Sequence, residues 1–600
     1  MDKIAVLDFG GQYAHLIANR IRRLGVFSEI HEGDVSVDDL RDYKGIILSG
    51  GPASVRAADS IKCDVRLFEL GVPILGICYG HQLTAVTLGG EVKPGKVQEY
   101  GPATVTFDEK KGVFENVEDS EVVWMSHFDQ VVKAPDGFVV VAKTDDTPVA
   151  AMADYERNIY CMQFHPEVTH TPCGNKILDD FIEICGAARD WNIDVYIESI
   201  SEEIRVKVGD KKVFLMISGG VDSTVAFLLL AKVLGPERVY GLFVDTGFMR
   251  LGEREQVSEA LKKLGVTNLH VYDAAREYFE ALKEVYEPEQ KRQIIGDLFL
   301  KVQAKVSDEL KLNPDEWFLA QGTIYPDTIE SGGTKHADKI KTHHNQVEAI
   351  KILKEAGKII EPLDQLYKDE VRMVGEKLGL IEEMVWRHPF PGPGLAVRAL
   401  CSEGEDYPSG VEDLEKKLAE FLANYNCKAK VLPIKSVGVQ GDERTYRHPV
   451  VLYGKQFSWD ELNRLATRVT NQFTDINRVL LGLSPDDFAN LSTQKVYLTS
   501  ERILTIQKAD KIVMDYLVEA GIERDIWQFP TVLIPVAVNN PSGESVVLRP
   551  VCSQEAMTAN FYQMDFEKLN ELVKRLKMVD GVSGIFYDIT NKPPGTIEWE

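Results

Sequence analysis

Residues 213–235, VFLMISGGVDSTVAFLLLAKVLG, constrain the fold more tightly than any other stretch of the chain. An apolar run ends at Ile217, a glycine turn follows, and an apolar helical pattern begins at once. Strand, glycine turn and helix together present backbone N–H groups and a helix N-terminus, an arrangement that holds phosphate. The stretch matches neither G-x-x-x-x-G-K-[ST] nor G-x-G-x-x-G. A serine N-cap on a tight turn would account for the same residues. On the phosphate reading, Ser218, Ser223 and Thr224 add hydroxyls to the N–H groups of Gly219, Gly220 and Val221. Asp222 would repel bare phosphate, so it belongs beside Mg²⁺ or turned away from the anion. A Walker loop aims its lysine at the phosphate being transferred, whereas a lysine-free cradle suits a group that leaves whole.

The first 190 residues repeat the alternation: KIAVLDFG, GQYAHLIANRIRRLG, KGIILSGGP, PILGICYG. This is the rhythm of a mostly parallel sheet covered by helices, and it predicts an α/β fold. Within it, Gly76-Ile77-Cys78-Tyr79-Gly80 lies between a strand and a helix. A G-x-nucleophile-x-G turn lifts a nucleophile out of the sheet, with glycines where a Cβ would collide. The helix N-terminus beyond it favours thiolate over thiol. Free cysteines are more often small buried residues, but few of those sit on a glycine-flanked elbow. In QFHPEVTHT (163–171), His165 and Glu167 are two apart in an extended segment and project to one side. Glu167 can then orient His165 as the base for Cys78.

With LSGGP at 48–52, GICYGHQ at 76–82 and WMSHFDQV at 124–131, these strings resemble the class I glutamine amidotransferases. The resemblance implies that Cys78 attacks the side-chain amide of glutamine to form a thioester while His165 passes a proton to departing ammonia. It places backbone N–H groups near Gly51 and Tyr79 at the oxyanion. Gln82, Ser126, His127 and Asp129 match positions near the bound glutamine.

From about Trp191 the alternation resumes, and the loop at 218–224 resembles the pyrophosphate loop of the N-type ATP pyrophosphatases. That family implies a doubly wound sheet that transfers AMP from ATP to an acceptor oxygen and releases pyrophosphate. LAQGTIYPDTIES (319–331), IIEPLDQLYKDEVRM (359–373) and WRHPFPGPGLAVR (386–398) support the likeness. By resemblance Lys368 reaches ATP phosphates, with Asp369 beside it. His343 and His344 are adjacent and point to different sides, which argues against a metal between them.

Residues 399–600 carry a near-repeat. LPIKSVGVQGDERTYRHPVVL (432–452) parallels VLIPVAVNNPSGESVVLRP (532–550), and the segments at 465–484 and 572–590 parallel each other. Each copy follows a helical stretch, at about 409–426 and 500–520, so a duplicated α+β module of helix, hairpin, helix and strand is expected. Coincidental patterning would give the same strings. The final DITNKPPGTIEWE, with a double proline and an aromatic, predicts a stiff tail where most chain ends fray.

Taken together, the three regions resemble the glutamine-hydrolysing GMP synthetase family, in the longer form typical of eukaryotes. The resemblance implies domains at 1–190 (amidotransferase), 191–398 (ATP pyrophosphatase), 399–497 and 498–600 (two dimerisation-type modules). It implies XMP, ATP and glutamine as substrates, Mg²⁺ with ATP, possible coordination by Asp222, and no organic cofactor. Arg292, Gln440, Gln528, Lys592 and Glu598 match positions that hold XMP. Both modules in one chain imply a monomer with an internal pseudo-dimer, a homodimer being the alternative.

Composition excludes other classes. With 93 acidic against 68 basic residues the net charge is −25, which opposes the phosphate-backbone attraction behind nucleic-acid binding. The apolar run at the N-terminus is too short for a signal peptide, and no apolar stretch approaches a membrane span. The eight cysteines show no C-x-x-C pairing, so a reduced, cytoplasmic setting without membrane attachment is expected.

Overall fold

The computed structural model describes the chain apart from Gln12, Ala58, Asp59, residues 329–347, Gly441, Asp442 and residues 554–558. The side chains of residues 96–98, 348, 440 and 443 also fall outside the described residues, so the expectations for His343, His344 and the Gln440 side chain have no structural counterpart here. The described residues group into two compact units. The first is Met1–Glu203 with the described parts of 324–342 and Gln365–Glu370, and the second is the remainder of 204–600.

The first unit carries, among its described residues, a nine-stranded sheet. Its strands are β1 (Lys3–Asp8), β2 (Phe27–Glu32), β3 (Gly45–Leu48), β4 (Ile74–Ile77), β5 (Glu91–Phe107), β6 (Ser120–Lys133), β7 (Val139–Lys143), β8 (Ala151–Asp154) and β9 (Ile159–Met162). The order is β2-β1-β3-β4-β9-β8-β7-β5-β6. The first five run parallel and the rest antiparallel. β3 and β4 are buried along their whole length, as strands covered on both faces must be. That is why they read as continuous apolar runs.

The second unit begins with a parallel sheet of β10 (Lys212–Ile217), β11 (Val239–Asp245), β12 (Leu269–Asp273), β13 (Trp317–Ala320) and β14 (Ile359–Ile360). Its order is β12-β11-β10-β13-β14. The order reverses between β10 and β13, and ligands of doubly wound sheets bind at the carboxyl ends of strands at such a switch point. The loop at 218–224 leaves β10 at that point.

Further strands follow: β15 (Lys428–Val431), β16 (Ser436–Gln440), β17 (Glu443–Tyr453), β18 (Ile476–Ser484), β19 (Leu491–Thr493), β20 (Thr531–Ile534), β21 (Val536–Val538), β22 (Glu544–Leu548), β23 (Val551–Cys552), β24 (Asn560–Phe561) and β25 (Val582–Asp588). Six form the path β15-β17-β18-β25-β22-β20, with β16 paired to β17. Read from either end the path is the same: antiparallel, parallel, central antiparallel, parallel, antiparallel.

The registers agree strand by strand. At the centre Leu480 faces Asp588, Leu481 faces Tyr587 and Gly482 faces Phe586, so exchanging the strands leaves the pairing unchanged. Val450, Val451 and Leu452 face Val479, Leu480 and Leu481, just as Val546, Val547 and Leu548 face Ile585, Phe586 and Tyr587. The outer pairs match likewise.

The helices of each half have clear local causes. Ser458 caps the helix Trp459–Gln472 by accepting from Glu461 N, and Asp565 caps Phe566–Leu576 by accepting from Glu567 N and Lys568 N. Leu462, Leu465 and Val469 in one helix, and Leu569, Leu572, Val573 and Leu576 in the other, recur at helical spacing and are buried. Among the described residues no helix is long and apolar enough to cross a membrane.

Candidate active sites

Cys78 follows β4 and has φ 52° and ψ −100°, a sparsely populated positive-φ conformation that costs a non-glycine residue about 1–3 kcal/mol. The turn is held by Cys78 N donating to Met162 O at 2.8 Å and Gly80 N donating to Ser49 O at 3.0 Å. A Cβ at Gly80 would stand 2.3 Å from Leu48 O, so the flanking glycine is a steric requirement.

His165 follows β9, the parallel neighbour of β4, and its Nδ1 is 2.6 Å from Glu167 Oε1. Both side chains are almost fully buried. Burial works against the imidazolium, but Glu167 and the Cys78 sulfur, through charge and hydrogen bonding, push the His165 pKa well above its ordinary value. The glycine turn after β3 closes the third side: a Cβ at Gly50 would be 3.2 Å from His165 Cε1 and 3.8 Å from Cys78 Cβ. Gly51 is packed so closely that a Cβ there would lie 2.8 Å from Phe9 O. Tyr79 opens the helix Tyr79–Thr87, where backbone N–H groups have no carbonyl one turn back. Three adjacent strand ends therefore bring a thiol, an imidazole with a carboxylate beside it, and backbone N–H groups to one place.

Around this centre, Ser126 O lies 3.7 Å from Cys78 Sγ. Gln82 Nε2 donates to Asp129 O at 2.6 Å and to Gln163 Oε1 at 3.1 Å. His127 Nε2 is 3.1 Å from Glu99, and its pKa is lowered because burial outweighs that carboxylate. Asp129 is buried, bonded to the Ser54 hydroxyl and paired with Arg56 at 2.8 Å. Sequence reasoning missed Ser54, Arg56, Glu99 and Gln163. Only Gln163, inside the QFHPE string, carried a local signal; its Nε2 is 3.6 Å from the Cys78 sulfur.

The second site is the turn after β10. Gly219 has φ 79°, and a Cβ there would stand 3.0 Å from Glu253 Oε1. Ser218 Oγ and Ser223 Oγ lie 3.1 Å apart, and Gly220 N donates to Ser218 Oγ at 3.2 Å. Thr224 is buried and its hydroxyl donates to Gly220 O at 2.8 Å, so it braces the first helical turn. Val221 and Asp222 open the helix Val221–Leu234.

Arg387, within the Pro/Gly-rich string, donates to Gly219 O and pairs with Glu253. Gly322, after β13, packs against the loop, where a Cβ would meet Ser223 N at 3.0 Å. Lys368 opens the helix Lys368–Leu378 and belongs to the first unit, where its neighbour Asp369 pairs with Arg23 at 2.8 Å.

The third cluster gathers at the tail. Glu598 pairs with the fully buried Arg398 at 2.8 Å and accepts from Gln528 Nε2 at 3.2 Å. Arg292 donates to Glu600 O, and the fully buried Lys291 is 2.5 Å from Glu600 Oε2. Lys592 exchanges backbone hydrogen bonds with Ala559, and burial lowers the pKa of its amine. Gln528 and Glu598 thus meet directly, while Arg292 grips the chain two residues beyond. The sequence singled out neither Lys291 nor Arg398, although Arg398 closes the string at 386–398.

The comparisons agree with this division. The family described as Glutamine amidotransferase class-I matches residues 5–185, NAD synthase matches 193–304, and GMP synthase C terminal domain matches 515–599. A Leptospira interrogans protein named probable GMP synthase (glutamine-hydrolysing) is 46% identical over 606 residues, covering 100% of this chain and 99% of that relative. The chain belongs to the GMP synthase family. The Dictyostelium discoideum GMP synthase is 35% identical over 675 residues, covering 99% of this chain and 94% of the relative. The Clostridium botulinum GMP synthase is 42% identical over 502 residues and covers 80% of this chain but 97% of its own length. GMP synthases therefore come in shorter and longer forms, and the Leptospira match shows that the longer form is not confined to eukaryotes.

Proposed function

We propose that the chain converts XMP, ATP, glutamine and water into GMP, AMP, pyrophosphate and glutamate. The observation that carries this reading is the meeting of Cys78, on its elbow after β4, with His165 and Glu167, after β9, in a chain that matches GMP synthases from end to end. In the glutaminase half, the Cys78 sulfur attacks the side-chain amide carbon of glutamine. His165 delivers a proton to the leaving ammonia, Glu167 holds the imidazole, and N–H groups at Gly51 and Tyr79 meet the oxyanion. Water then releases glutamate from the thioester. Gln82, Ser126, His127 and Asp129 line the bound glutamine.

In the synthetase half, the loop at 218–224 receives the β- and γ-phosphates, with Lys368 as a further phosphate contact. Oxygen 2 of XMP attacks the α-phosphorus and pyrophosphate leaves; ammonia then adds at carbon 2 and AMP leaves. Among the described residues no group of three or more His, Cys, Asp or Glu could hold a metal by itself. Mg²⁺ binds through one or two carboxylates and the phosphates of its nucleotide, and Asp222 is the carboxylate in the loop. When bound, the ion offsets charge developing on pyrophosphate. Arg292, Gln440, Gln528, Lys592 and Glu598 hold XMP. The test is a product assay with ammonium, ATP, Mg²⁺ and XMP: GMP and AMP in equal amounts are expected, and no GMP would overturn the reading.

The domains lie at 1–190, 191–398, 399–497 and 498–600, the last two a duplication, and the enzyme works in the cytoplasm without nucleic acid or membrane. The self-complementary register of β18 and β25 supports one further step. An isologous dimer pairs like with like across a two-fold axis, and the central strands already do so within one chain. Tethering sets an effective concentration of roughly millimolar, so the internal pair outcompetes a second chain. A monomer of 67.3 kDa is expected by light scattering without ligand, and a stable species of twice that mass at low concentration without ligand would overturn it; a dimer formed only with XMP would point to another surface.

A further inference from the structure

Exchanging the halves of the sheet in the register of β18 and β25 maps Leu480 onto Phe586 and Gly482 onto Asp588. The same mapping carries Arg478 onto Gly584. Arg478 and Asp588 are fully buried and pair at 2.8 Å, whereas both of their counterparts are glycine. Neither glycine position has room for a side chain. A Cβ at Gly482 would stand 2.3 Å from the Phe488 ring, and one at Gly584 2.5 Å from Ser545 Oγ. The ion pair is therefore made on one side of the pseudo-axis and blocked on the other.

The guanidinium does more than pair. Its Nη1 donates to Asp588 Oδ2 at 2.8 Å. Its Nη2 is within bonding distance of Thr596 O (3.0 Å), Thr596 Oγ1 (2.7 Å), Glu598 O (2.9 Å) and Val437 O (3.0 Å). Asp588 also accepts from Trp599 Nε1 at 3.0 Å. β16 holds the same segment: Val437 N donates to Trp599 O at 3.0 Å and Val439 N to Pro594 O at 2.7 Å. Arg478 and β16 come from the first half, while Arg549 of the second half donates to Thr596 O at 3.2 Å and pairs with Asp588 at 3.2 Å, so both halves fix the backbone on which Glu598 stands. A planar fork can serve a carboxylate and several carbonyls at once; a lysine nitrogen in its place would have to choose.

We infer that the nucleotide subsite is a joint product of the two halves, with Arg478 the positioning residue that sets the tail. It acts through the carbonyls of Thr596 and Glu598 and through Asp588. This rests on the reading above that the tail meets XMP. The mapped position in the other half has no guanidinium, no carboxylate, and Phe488 in its place, so each chain binds one nucleotide there.

The test uses the full chain with R478K, which keeps a cation beside Asp588, and T596V, which removes a hydroxyl partner and keeps Arg478. Without ligand, amide exchange across 595–600 should quicken by about tenfold or more in R478K while strands elsewhere keep their protection. XMP affinity by calorimetry should fall by about tenfold to a hundredfold, with wild-type stoichiometry of one, while ATP affinity and glutaminase activity hold. Unchanged tail exchange, or quickened exchange with unchanged XMP affinity, would overturn the inference. An equal loss of ATP and XMP affinity would overturn it too, since Arg478 would then be sheet cement alone. If R478K does not fold, T596V must show the same selective pattern, and normal behaviour of T596V overturns the inference. If the wild-type protein fails to bind XMP, the reading of the tail's ligand falls, and tail exchange in the variants still judges Arg478.

Discussion

Cys78→Ala should lose glutamine-dependent GMP formation by roughly a thousandfold or more while ammonium salts support the reaction at close to the unsubstituted rate. The loss is large because the sulfur forms the bond that the rest of the site only assists. His165 and Glu167 remain in place, but without the nucleophile their proton has nowhere useful to go. Alanine is smaller than cysteine and adds no new contact, so the elbow keeps its hydrogen bonds to Met162 and Ser49. The synthetase loop belongs to the other compact unit and loses none of its own partners. A folded variant that ammonium fails to rescue would show that Cys78 serves both reactions.

The second large effect belongs to the loop. Gly219→Val and Asp222→Ala should each abolish GMP formation with either nitrogen source, by roughly a hundredfold or more, because ammonia from any origin needs an activated carbon to attack. At Gly219 the backbone sits at φ 79°, and a side chain would press on Glu253 and Phe243, the former a partner of Arg387. Valine would therefore distort the turn and its arginine clamp together. The products of the unsubstituted enzyme should be AMP and pyrophosphate. ADP and orthophosphate as first products would show that the loop holds a phosphoryl group in transfer rather than one that leaves.

The proposed glutaminase triad is legible in the sequence because its members sit in two short strings whose neighbours fix the backbone. Gly80 forces the elbow, and the extended HPE places an acid beside its base at one strand end. The switch-point loop is legible for the same local reason. Arg478 and Asp588 are 110 residues apart, and Arg398 and Glu598 are 200 apart. Arg398 closes the string at 386–398 without any sign there that it is buried, and Arg478, on β18, reads as surface until its partner is known. The repeat at 432–452 and 532–550 is visible as pattern. That its strands share one sheet, in a register that returns to itself, depends on pairings no local pattern contains.

That register also bears on inheritance. When identical subunits meet across a two-fold axis, one codon specifies both faces of the contact, and any substitution lands twice. β18 and β25 are encoded separately, so a change in one is not repeated in the other. Arginine with glycine on one strand, glycine with aspartate on the other, is an arrangement that a symmetric pair could reach only by keeping both charges on every copy. The longer chain is thus free to specialise its halves, and correspondingly unable to lose either one.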